Sequence, residues 1–543
     1  MTYIKVIRNY LLALWLFSPV FFAYAAPQVT FHFDGWVDFA LEKLETDGIT
    51  GGFHRHTRPR TRWEVAKVIR QAEARIAEGR VTPSPIAMQL LEKLKQEFDQ
   101  EIAIVTDTEG GNRPAGGRDE HDAFRTRSSV QLRSRQGRHQ IFPAYEGACS
   151  YHFGRQLTLY QAFEIQDSFE KYPDQGETAS KRLNLWRWNY TTEFKRVYLR
   201  FPISKFEVLI GRHPIFWGTG FRGAVGISDN SPPFDLVLLT GVFGKIKGTA
   251  FAAQLDQIWH DQTPRRYLAN RYMAGHRIDY QVNDRLELGI SELVVYGGDA
   301  QDVEWRYLNP ILPYYASQFN ADTDDNVMVV FEGAIRPIDG LRLYAECLLD
   351  DIQYANGGDP NAFAWLAGLE WNGLQSDASA AERSNLSRPW YAHGLHNSRL
   401  GIRAEYARVN RWAYTHLVEE NQFTHFGSMV GHRVGTDADT FYLEGGYLVN
   451  VDSRVTLFYE WERQGEASVA DRYRGEDYST IPFPSGVVER RDGFGIRLVY
   501  EPRRAWQCDF AYQYVFTRNK NHQKGNNQHS NELEFRLRYL LEL

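Results

Sequence analysis

From about residue 124 to its end, the chain alternates apolar and polar side chains with a period of two. Leu400 and Ile402, for example, alternate with Gly401 and Arg403. The same alternation recurs at residues 454–461, 494–500, 506–516 and 533–543. Successive side chains of a strand point to opposite faces of a sheet. The pattern therefore predicts strands that have one apolar face and one polar face.

Soluble β-sandwiches and membrane barrels share this alternation, and two further features favour a barrel. The runs are about ten residues long, as transmembrane strands are, and aromatic residues stand at their ends, where a membrane interface would lie. The apolar positions of residues 533–543 continue to the terminus, which resembles the assembly signal of outer-membrane barrels. Because every backbone amide must be paired within lipid, such strands span a membrane only as a closed barrel. About 420 residues allow about 16 to 20 strands, and a soluble periplasmic β-protein is the alternative.

The N-terminal region has a helical period instead. Thr61 and Glu64 are spaced as a capping box, and Ser84 followed by Pro85 marks the start of the last helix. We expect three short helices packed together within residues 26–106 and a linker rich in Gly and charged residues at residues 107–123. The barrel would then occupy residues 124–543.

The first 25 residues have the features of a secretory signal peptide. Lys5 and Arg8 precede an apolar run, and Ala23 and Ala25 flank Tyr24 as a cleavage site with small residues. A membrane anchor helix is the alternative, but the run is short for one. The mature protein is therefore expected outside the cytoplasm. Together with the barrel prediction, this places it in the cell outer membrane, in contact with outer-membrane lipid.

Composition excludes several classes of protein. A mean hydropathy of −0.47 excludes a helical membrane protein, and a net charge of −6 gives no basic footprint for nucleic acid. His416, His425 and His432 lie near Asp437 and Asp439 and were weighed as metal ligands, but they lack a tight ligand spacing. We therefore predict no metal, no cofactor and no nucleic-acid partner.

The segment of residues 212–235 is rich in Gly and Pro, and it is the best candidate for backbone that leaves the sheet and constricts the lumen. Sugars present hydroxyls and apolar C–H faces, so a glycan site needs aromatic rings beside fixed polar groups. Trp217 would stack on a sugar ring. The hydrogen bonds would come from Arg212, Arg222, Asp229 and Asn230. The alternative is that Trp217 packs the segment against the wall and Arg222 pairs with Asp229.

Further polar candidates lie on the predicted luminal faces of the strands. If the apolar faces meet lipid, the alternate faces point four polar side chains inwards, namely Glu346, Asp350, Arg403 and Glu405. We include them in the predicted polysaccharide-binding set, with pairing among themselves or contact with water as the alternative. Many long side chains of both signs would narrow the lumen, so we expect a plugged barrel more than a wide pore. A solvated basic stretch is expected at Arg55, Arg58, Arg60 and Arg62.

Several motifs resemble the capsule assembly (Wzi) family of outer-membrane proteins. The most specific are Trp217-Gly218-Thr219-Gly220 and residues 228–235. Further pieces follow in the family's order at residues 306–310, 343–351, 405–416 and 431–432, and residues 57–64 resemble its N-terminal region. The resemblance implies a barrel of about 18 strands, a small periplasmic helical bundle and a lectin-like role in attaching exported polysaccharide. Long segments at residues 166–181 and 373–388 depart from the family and are expected to enlarge loops.

We therefore predict a non-catalytic outer-membrane barrel that binds capsular or other exopolysaccharide. It would help to attach or assemble this polymer at the cell surface, with the polysaccharide export machinery as a further partner. A diffusion porin or substrate-specific channel is the alternative. An outer-membrane enzyme would need a nucleophile beside a base, for which Ser228 and His416 are the candidates.

Overall fold

The computed structural model describes most of the chain from the first helix to the last strand. The described residues are 35–109, 123–135, 138–153, 157–167, 184–185, 190–262, 265–351, 360–373, 398–471, 480–503 and 505–542. The expected signal peptide, most of the expected linker and most of the two long segments at 166–181 and 373–388 lie outside the described residues. Within the part of the chain that the structure describes, no helix is both long and apolar enough to cross a membrane.

In the described residues, 18 antiparallel strands close into a barrel, which confirms the predicted fold class. The strands are β1 (Ala123–Arg135), β2 (Arg138–Phe153), β3 (Leu157–Asp167), β4 (Tyr190–Ile203), β5 (Phe206–His213), β6 (Phe234–Phe243), β7 (Ile246–Gln254), β8 (Arg265–Asn283), β9 (Leu286–Asp299), β10 (Asn326–Ile338), β11 (Leu341–Asp351), β12 (Ala362–Asn372), β13 (Leu400–Val409), β14 (Ala438–Leu448), β15 (Ser453–Gln464), β16 (Glu489–Tyr500), β17 (Ala505–Arg518) and β18 (Gln528–Glu542). Ile258–Gln262 continues β7 along β8. The first strand pairs with both β2 and β18, where Leu132 lies opposite Phe535, and this pairing closes the wall.

Alternation along each strand separates a luminal face from an outer face. On β11, Arg342, Tyr344 and Glu346 are at most 4% exposed, whereas Leu343 between them is 38% exposed. Glu405 of β13 is likewise buried inside, as predicted. The exposed apolar side chains of the outer face include Ile210, Val237, Ile278, Leu288, Ile290, Phe331 and Leu457. An apolar exterior around a polar interior is typical of outer-membrane barrels.

The connections between strands differ at the two ends of the barrel. At one end, tight turns at residues 204–205, 244–245, 284–285 and 339–340 join neighbouring strands. At the other end, long connections span residues 214–233, 300–325 and 410–437. We call these the short-turn end and the long-loop end.

In the described part of the N-terminal region, four helices precede the barrel, one more than expected. They are α1 (Gly35–Thr46), α2 (Arg62–Ala77), α3 (Pro85–Glu97) and α4 (Asp99–Glu109). The capping box is confirmed, because Glu64 N donates to Thr61 Oγ1 at 3.0 Å and Thr61 N donates to Glu64 Oε2 at 2.7 Å. Ser84 caps α3 as predicted. The extra helix arises because Phe98 leaves helical geometry at the end of α3, and the chain then starts a new helix in a different direction.

The helices share a small apolar core and contact the short-turn end of the barrel. Their core includes Trp36, Leu41, Val65, Leu90 and Phe98. Gly340 N, in the turn between β10 and β11, donates to Thr46 O at 2.7 Å. Lys93 Nζ donates to Glu501 O at 2.6 Å and to Asp452 Oδ1 at 2.7 Å, in two further turns. The helical region is therefore held against the wall by backbone and side-chain contacts at several turns.

Candidate functional site

The connection at residues 214–233 folds into the lumen, as predicted for the Gly- and Pro-rich segment. We call it the first infolded segment. Its side chains Ile215, Trp217, Val225 and Ile227 are at most 2% exposed. The backbone turns sharply between Gly220 and Gly223, where a Cβ on Gly220 would lie 2.0 Å from Gly223 O. Glycine is therefore required for this close approach.

Two carboxylates of the barrel wall hold the first infolded segment by its backbone. Glu346 Oε1 accepts from Gly220 N at 2.8 Å and from Thr219 N and Oγ1, while Oε2 accepts from Val225 N at 2.8 Å. Glu405 accepts from Arg222 N at 2.8 Å and from Phe221 N at 2.5 Å. Irregular backbone has no ladder partner, and a fixed carboxylate with several lone pairs satisfies such amides with charge-assisted hydrogen bonds. The wall therefore fixes the path of the segment.

A second infolded segment, residues 410–437, packs beside the first. Tyr414 is 0% exposed, and its hydroxyl donates to Val225 O at 2.7 Å and accepts from His432 N at 3.1 Å. Ser228 N donates to Val430 O at 2.8 Å. Asp350 accepts from Tyr414 N at 2.5 Å. Sequence reasoning did not predict this segment, although the apolar run of residues 412–414 in a predicted loop was a signal for it.

A third piece, residues 53–60, enters the lumen from the helical region, and we call it the N-terminal insert. Thr57 and Arg58 pair antiparallel with Trp217 and Phe216 of the first infolded segment. Gly218 N donates to His56 O at 3.0 Å. The three pieces therefore form one plug that is hydrogen-bonded to itself and to the wall.

The expectation of a solvated basic stretch at the insert is wrong. Arg55 is 7% exposed and forms ion pairs with Glu370 of β12 at 2.8 Å and with Glu42 and Glu45 of α1 at 3.1 Å each. Arg60 is also buried, with its guanidinium over the Phe53 ring, and Arg62 pairs with Glu97 and Glu101. Arg58, partly buried, lies over the Phe216 ring. Carboxylates and aromatic rings distant in sequence therefore take the place of water.

Burial and these ion pairs determine the charge states of the insert. Burial alone would raise the pKa of Glu42, but the guanidinium groups of Arg55 and Arg403 outweigh burial and hold that pKa below its usual range. Burial, with Arg342 and Arg277 nearby, holds the pKa of His56 well below its usual range. The insert therefore places arginines and a neutral imidazole beside ionised carboxylates of α1 and the wall.

A cavity of about 600 Å³ lies between α1, the first infolded segment and the wall from β12 to β18. Three aromatic rings line it in a row, and we call Phe221, Tyr442 and Phe458 the aromatic row. Ring centroids are 5.9 Å apart between the first two and 6.0 Å apart between the last two. Arg403 lies 4.4 Å from the Phe221 centroid, and Arg222 lies 4.6 Å from that of Tyr442.

Charged groups surround the aromatic row, and ion pairs hold most of them in place. Arg403 bonds to Glu42 at 2.8 Å and lies 3.7 Å from Glu444. Arg222 pairs with Glu460 at 3.1 Å, and not with Asp229 as the alternative assumed. The guanidinium of Arg454 lies 4.2 Å from the Phe39 ring centroid and lines the same cavity. Aromatic faces beside fixed hydrogen-bonding groups suit a molecule that has both apolar faces and hydroxyls.

The structure brings together only part of the predicted residue set. Arg222, Asp229 and Arg403 line the cavity, and Glu405 binds the backbone of Phe221 and Arg222 at its edge. Glu346 and Asp350 instead bind the backbone of the two infolded segments. The remaining three lie elsewhere, namely Arg212, Trp217 and Asn230.

Each of these three residues has a contact that explains its position. Trp217 is 1% exposed and its ring lies 5.1 Å from that of Phe251, so it packs the segment against the wall. Asn230 Nδ2 donates to Met429 O at 2.5 Å and joins the two infolded segments. Arg212 forms a bidentate pair with Asp235, on the outer side of the wall beside exposed Val237. Sequence reasoning missed Tyr442 and Phe458, although Phe458 stands on the luminal face that the alternation of residues 454–461 predicts.

The three histidines weighed as metal ligands point to different partners. His425 stacks on Phe234 and lies 3.4 Å from Asp256, and His416 lies 3.6 Å from Asp324. His432 is fully buried, and burial, with Arg433 and Arg222 nearby, lowers its pKa to about 3. Within the described ranges, no group of three or more His, Cys, Asp or Glu residues is arranged to hold a metal ion.

The fold and its infolded segments define an outer-membrane β-barrel whose own chain occupies the lumen. The family model described as capsule assembly protein Wzi matches residues 139–532, so the chain belongs to this family, and the protein is an outer-membrane protein. The resemblance seen in the motifs is confirmed. No curated protein sequence matches the chain.

Solved structures with the same fold include Wzi of Escherichia coli, described as an outer membrane protein involved in group 1 capsule assembly and as a carbohydrate binding β-barrel. It is 14% identical, with 94% of this chain and 99% of that chain covered and a TM-score of 0.58. OccD3 of Pseudomonas aeruginosa is 10% identical, with coverage of 79% and 93% and a TM-score of 0.45. OprD of the same organism is 10% identical, with coverage of 78% and 95% and a TM-score of 0.43.

Replacing Glu346 by Gln should loosen the first infolded segment. An amide side chain has one acceptor oxygen and two N–H donors, so part of the donor cluster at Thr219, Gly220 and Val225 would lose its acceptor. We expect a loss of about 1–3 kcal/mol, and hence amide exchange at these residues that is faster by roughly ten- to a hundredfold. Hydrogen exchange followed by mass spectrometry measures this, with the exposed Glu207→Gln as the control. Unchanged exchange in Glu346→Gln would contradict the anchoring role.

Replacing Arg55 by Met should destabilise the attachment of the helices by about 3–5 kcal/mol at pH 7, because Glu42, Glu45 and Glu370 each lose an ion-pair partner in a buried site. The pKa of Glu42 is lowered in the folded protein, so its contribution is present above the unfolded pKa of about 4.3 and is lost as the pH falls through the folded pKa. The difference from the wild type should therefore shrink as the pH falls below about 4.

Urea unfolding followed by the helical circular dichroism signal measures this difference. Arg70→Met is the matched control, because Arg70 forms a partly exposed pair with Glu73 on α2 and should change stability by less than about 1 kcal/mol. An equal effect of Arg55→Met at pH 7 and at about pH 2.5, well below the unfolded pKa of Glu42, would show that the loss is not electrostatic.

Proposed function

We propose that this protein binds a capsular or other surface polysaccharide and helps to attach or assemble it at the cell surface. The observation that carries this proposal is the aromatic row, which lines a cavity of about 600 Å³ beside paired arginines and carboxylates. Its neighbouring rings offer platforms for the apolar faces of sugar rings, and the fixed charges offer hydrogen bonds to hydroxyls. Membership of the family and the carbohydrate-binding description of Escherichia coli Wzi support the same function.

Within this proposal, the predicted residues divide into two groups. Arg222, Asp229 and Arg403 contact the sugar, together with the aromatic row. The other residues of the predicted set position the plug that shapes the cavity, namely Trp217, Asn230, Glu346, Asp350 and Glu405. Arg212 stands apart from both groups because it is on the outer side of the wall.

The proposed role is non-catalytic. Ser228, the nucleophile that an enzyme would use, is 1% exposed, and its hydroxyl accepts from Ala224 N at 3.2 Å. His416 belongs to the second infolded segment and lies 3.6 Å from Asp324. A nucleophile must reach its substrate. A buried serine that binds the backbone therefore suits a structural role in the plug better than a catalytic one.

The two ends of the barrel would meet different partners. The exposed apolar side chains of the wall contact outer-membrane lipid. Short turns of bacterial outer-membrane barrels face the periplasm, so the helical region attached to that end lies in the periplasm as a small domain. From there it can meet the polysaccharide export machinery.

The aromatic row gives a direct test of polysaccharide binding. Phe458→Ala removes a ring that lines the cavity, and we expect about tenfold weaker binding of polysaccharide extracted from the source cells, equivalent to about 1.4 kcal/mol. Leu457→Ala is the matched control on the same strand, because Leu457 points outwards and is 61% exposed. Detergent-solubilised protein on immobilised polysaccharide measures the affinity.

The same pair of variants should differ in cells. A gene-deleted strain that carries Phe458→Ala should release polysaccharide that the strain carrying Leu457→Ala retains at its surface. Wild-type affinity and retention in Phe458→Ala, with the barrel folded, would exclude the cavity as the binding site.

The periplasmic placement predicts protection of the helices. Arg80, in the exposed connection between α2 and α3, should resist trypsin in intact cells and become cleavable once the outer membrane is permeabilised. Lys524, exposed at the long-loop end, is the control for surface access. Cleavage at Arg80 in intact cells would place the helices on the cell surface instead.

A further inference from the structure

The connection between β9 and β10, residues 300–325, lies on the outside of the barrel wall. Tyr307 and Tyr314 are each 1% exposed and form an apolar cluster with Ala274, Val294 and Tyr296 of the wall. These three wall residues point outwards, because their strand neighbours Met273, Leu293 and Val295 belong to the luminal core. The connection therefore folds back over the outer face instead of standing above the barrel.

An outward-facing carboxylate attaches this connection to the wall. The helix α5 spans Tyr314–Ala321, and its first two amides bind Glu292 of β9. The two carboxylate oxygens of Glu292 accept from Tyr314 N at 2.7 Å and from Tyr315 N at 2.8 Å. His276 Nε2 lies 3.0 Å from the same carboxylate. A charge on the outer face of a barrel is costly in lipid unless it is paired. Here the two helix amides and His276 are the partners of the Glu292 carboxylate. The contact therefore fixes the start of the helix against the wall.

The position of Glu292 places the start of α5 deep along the wall. It is the seventh of the 14 residues of β9, halfway between the short-turn end and the long-loop end. The apolar band of such barrels is about 25 Å tall, which is most of the height of a strand. The connection therefore reaches from the long-loop end into the level of the membrane.

The face of the connection that points away from the wall is strongly apolar. Trp305 is 85% exposed, Ile311 is 86% exposed and Phe319 is 69% exposed. Directly beside Glu292 on the wall, Ile290 and Phe331 lie opposite each other and are 43% and 46% exposed. The apolar face of the connection is thus continuous with the apolar outer face of the barrel.

We propose that residues 305–319 are embedded in the outer leaflet of the membrane, where their exposed side chains contact lipid acyl chains near the headgroups. An exposed apolar patch of this kind would promote aggregation of the protein if water surrounded it. Exposed Trp and Tyr side chains are enriched at membrane interfaces, and the connection presents Trp305 together with Tyr315 and Phe319 of α5. The connection thus enlarges the lipid-facing surface of the protein beside β8, β9 and β10. It does not line the luminal cavity.

Spin labels test this placement in the full-length protein. Single-cysteine variants Ile311→Cys and Phe319→Cys, in a chain whose three native cysteines are replaced by Ala, are labelled and reconstituted in vesicles of phosphatidylethanolamine and phosphatidylglycerol. Ile290→Cys on the wall is the lipid-facing control, and Lys524→Cys at the long-loop end is the water-facing control. We expect labels at 311 and 319 to show the high oxygen and low nickel-chelate accessibility of the label at 290.

Two results would overturn the proposal. Nickel-chelate accessibility at 311 and 319 equal to that at 524 would place the connection in water. Spectral broadening from neighbouring labels, which disappears on dilution with unlabelled protein, would show that a second copy of this chain covers the face. All substituted connection residues are exposed, so the barrel should fold in each variant.

Discussion

The interior of this barrel depends on carboxylates of the wall that accept hydrogen bonds from irregular backbone. Strands satisfy their own amides in the sheet, but a segment that crosses the lumen has no ladder and must find acceptors there. Glu346 and Glu405 supply them for residues 219–225, and Asp350 supplies one for Tyr414. Because these carboxylates stand on rigid strands, the infolded segments have one defined path. The shape of the cavity and the position of its aromatic row follow from that path.

Ion pairs then connect this plug to the helices. Arg55 joins α1, β12 and the N-terminal insert through three carboxylates, and the insert extends the backbone pairing of Trp217 and Phe216. Arg403 continues the network to the cavity, because it bonds to Glu42 and lies over Phe221. The helical region is therefore mechanically connected to the proposed polysaccharide site. Such a connection gives the helical region a physical route to the lumen.

The sequence alone predicts those features that depend on neighbouring residues. The period of two identifies the strands and the inward direction of Glu346 and Glu405, and spacing alone identifies the capping box of Thr61 and Glu64. The sequence alone does not predict pairs of residues that are distant in the chain and that folding brings into contact. Glu346 and Thr219 are 127 residues apart, and Arg55 and Glu370 are 315 residues apart. A basic stretch looks the same in sequence whether water or buried carboxylates surround it.

The same limit explains why the sequence does not predict that residues 300–325 pack on the outer face of the wall. Outward apolar residues such as Val294 and Tyr296 fit the alternation whether lipid or another part of the chain covers them. Trp217 was expected to stack on a sugar because an aromatic residue in a Gly-rich segment suits both a binding site and a packed plug. Only the position of Phe251 on a neighbouring strand distinguishes the two. Conversely, Tyr442 and Phe458 gave no distinctive local signal, since the alternation alone does not say which luminal side chains line a cavity.

The central claim is that the chain's own infolded segments occupy the lumen, so that the barrel is a binding protein more than an open pore. Ion conductance of the purified wild-type protein in planar lipid bilayers tests this claim most directly. The account predicts insertion without a steady conductance of the size of an open porin. A stable, large and reproducible conductance from correctly folded wild-type protein would contradict it and favour a channel.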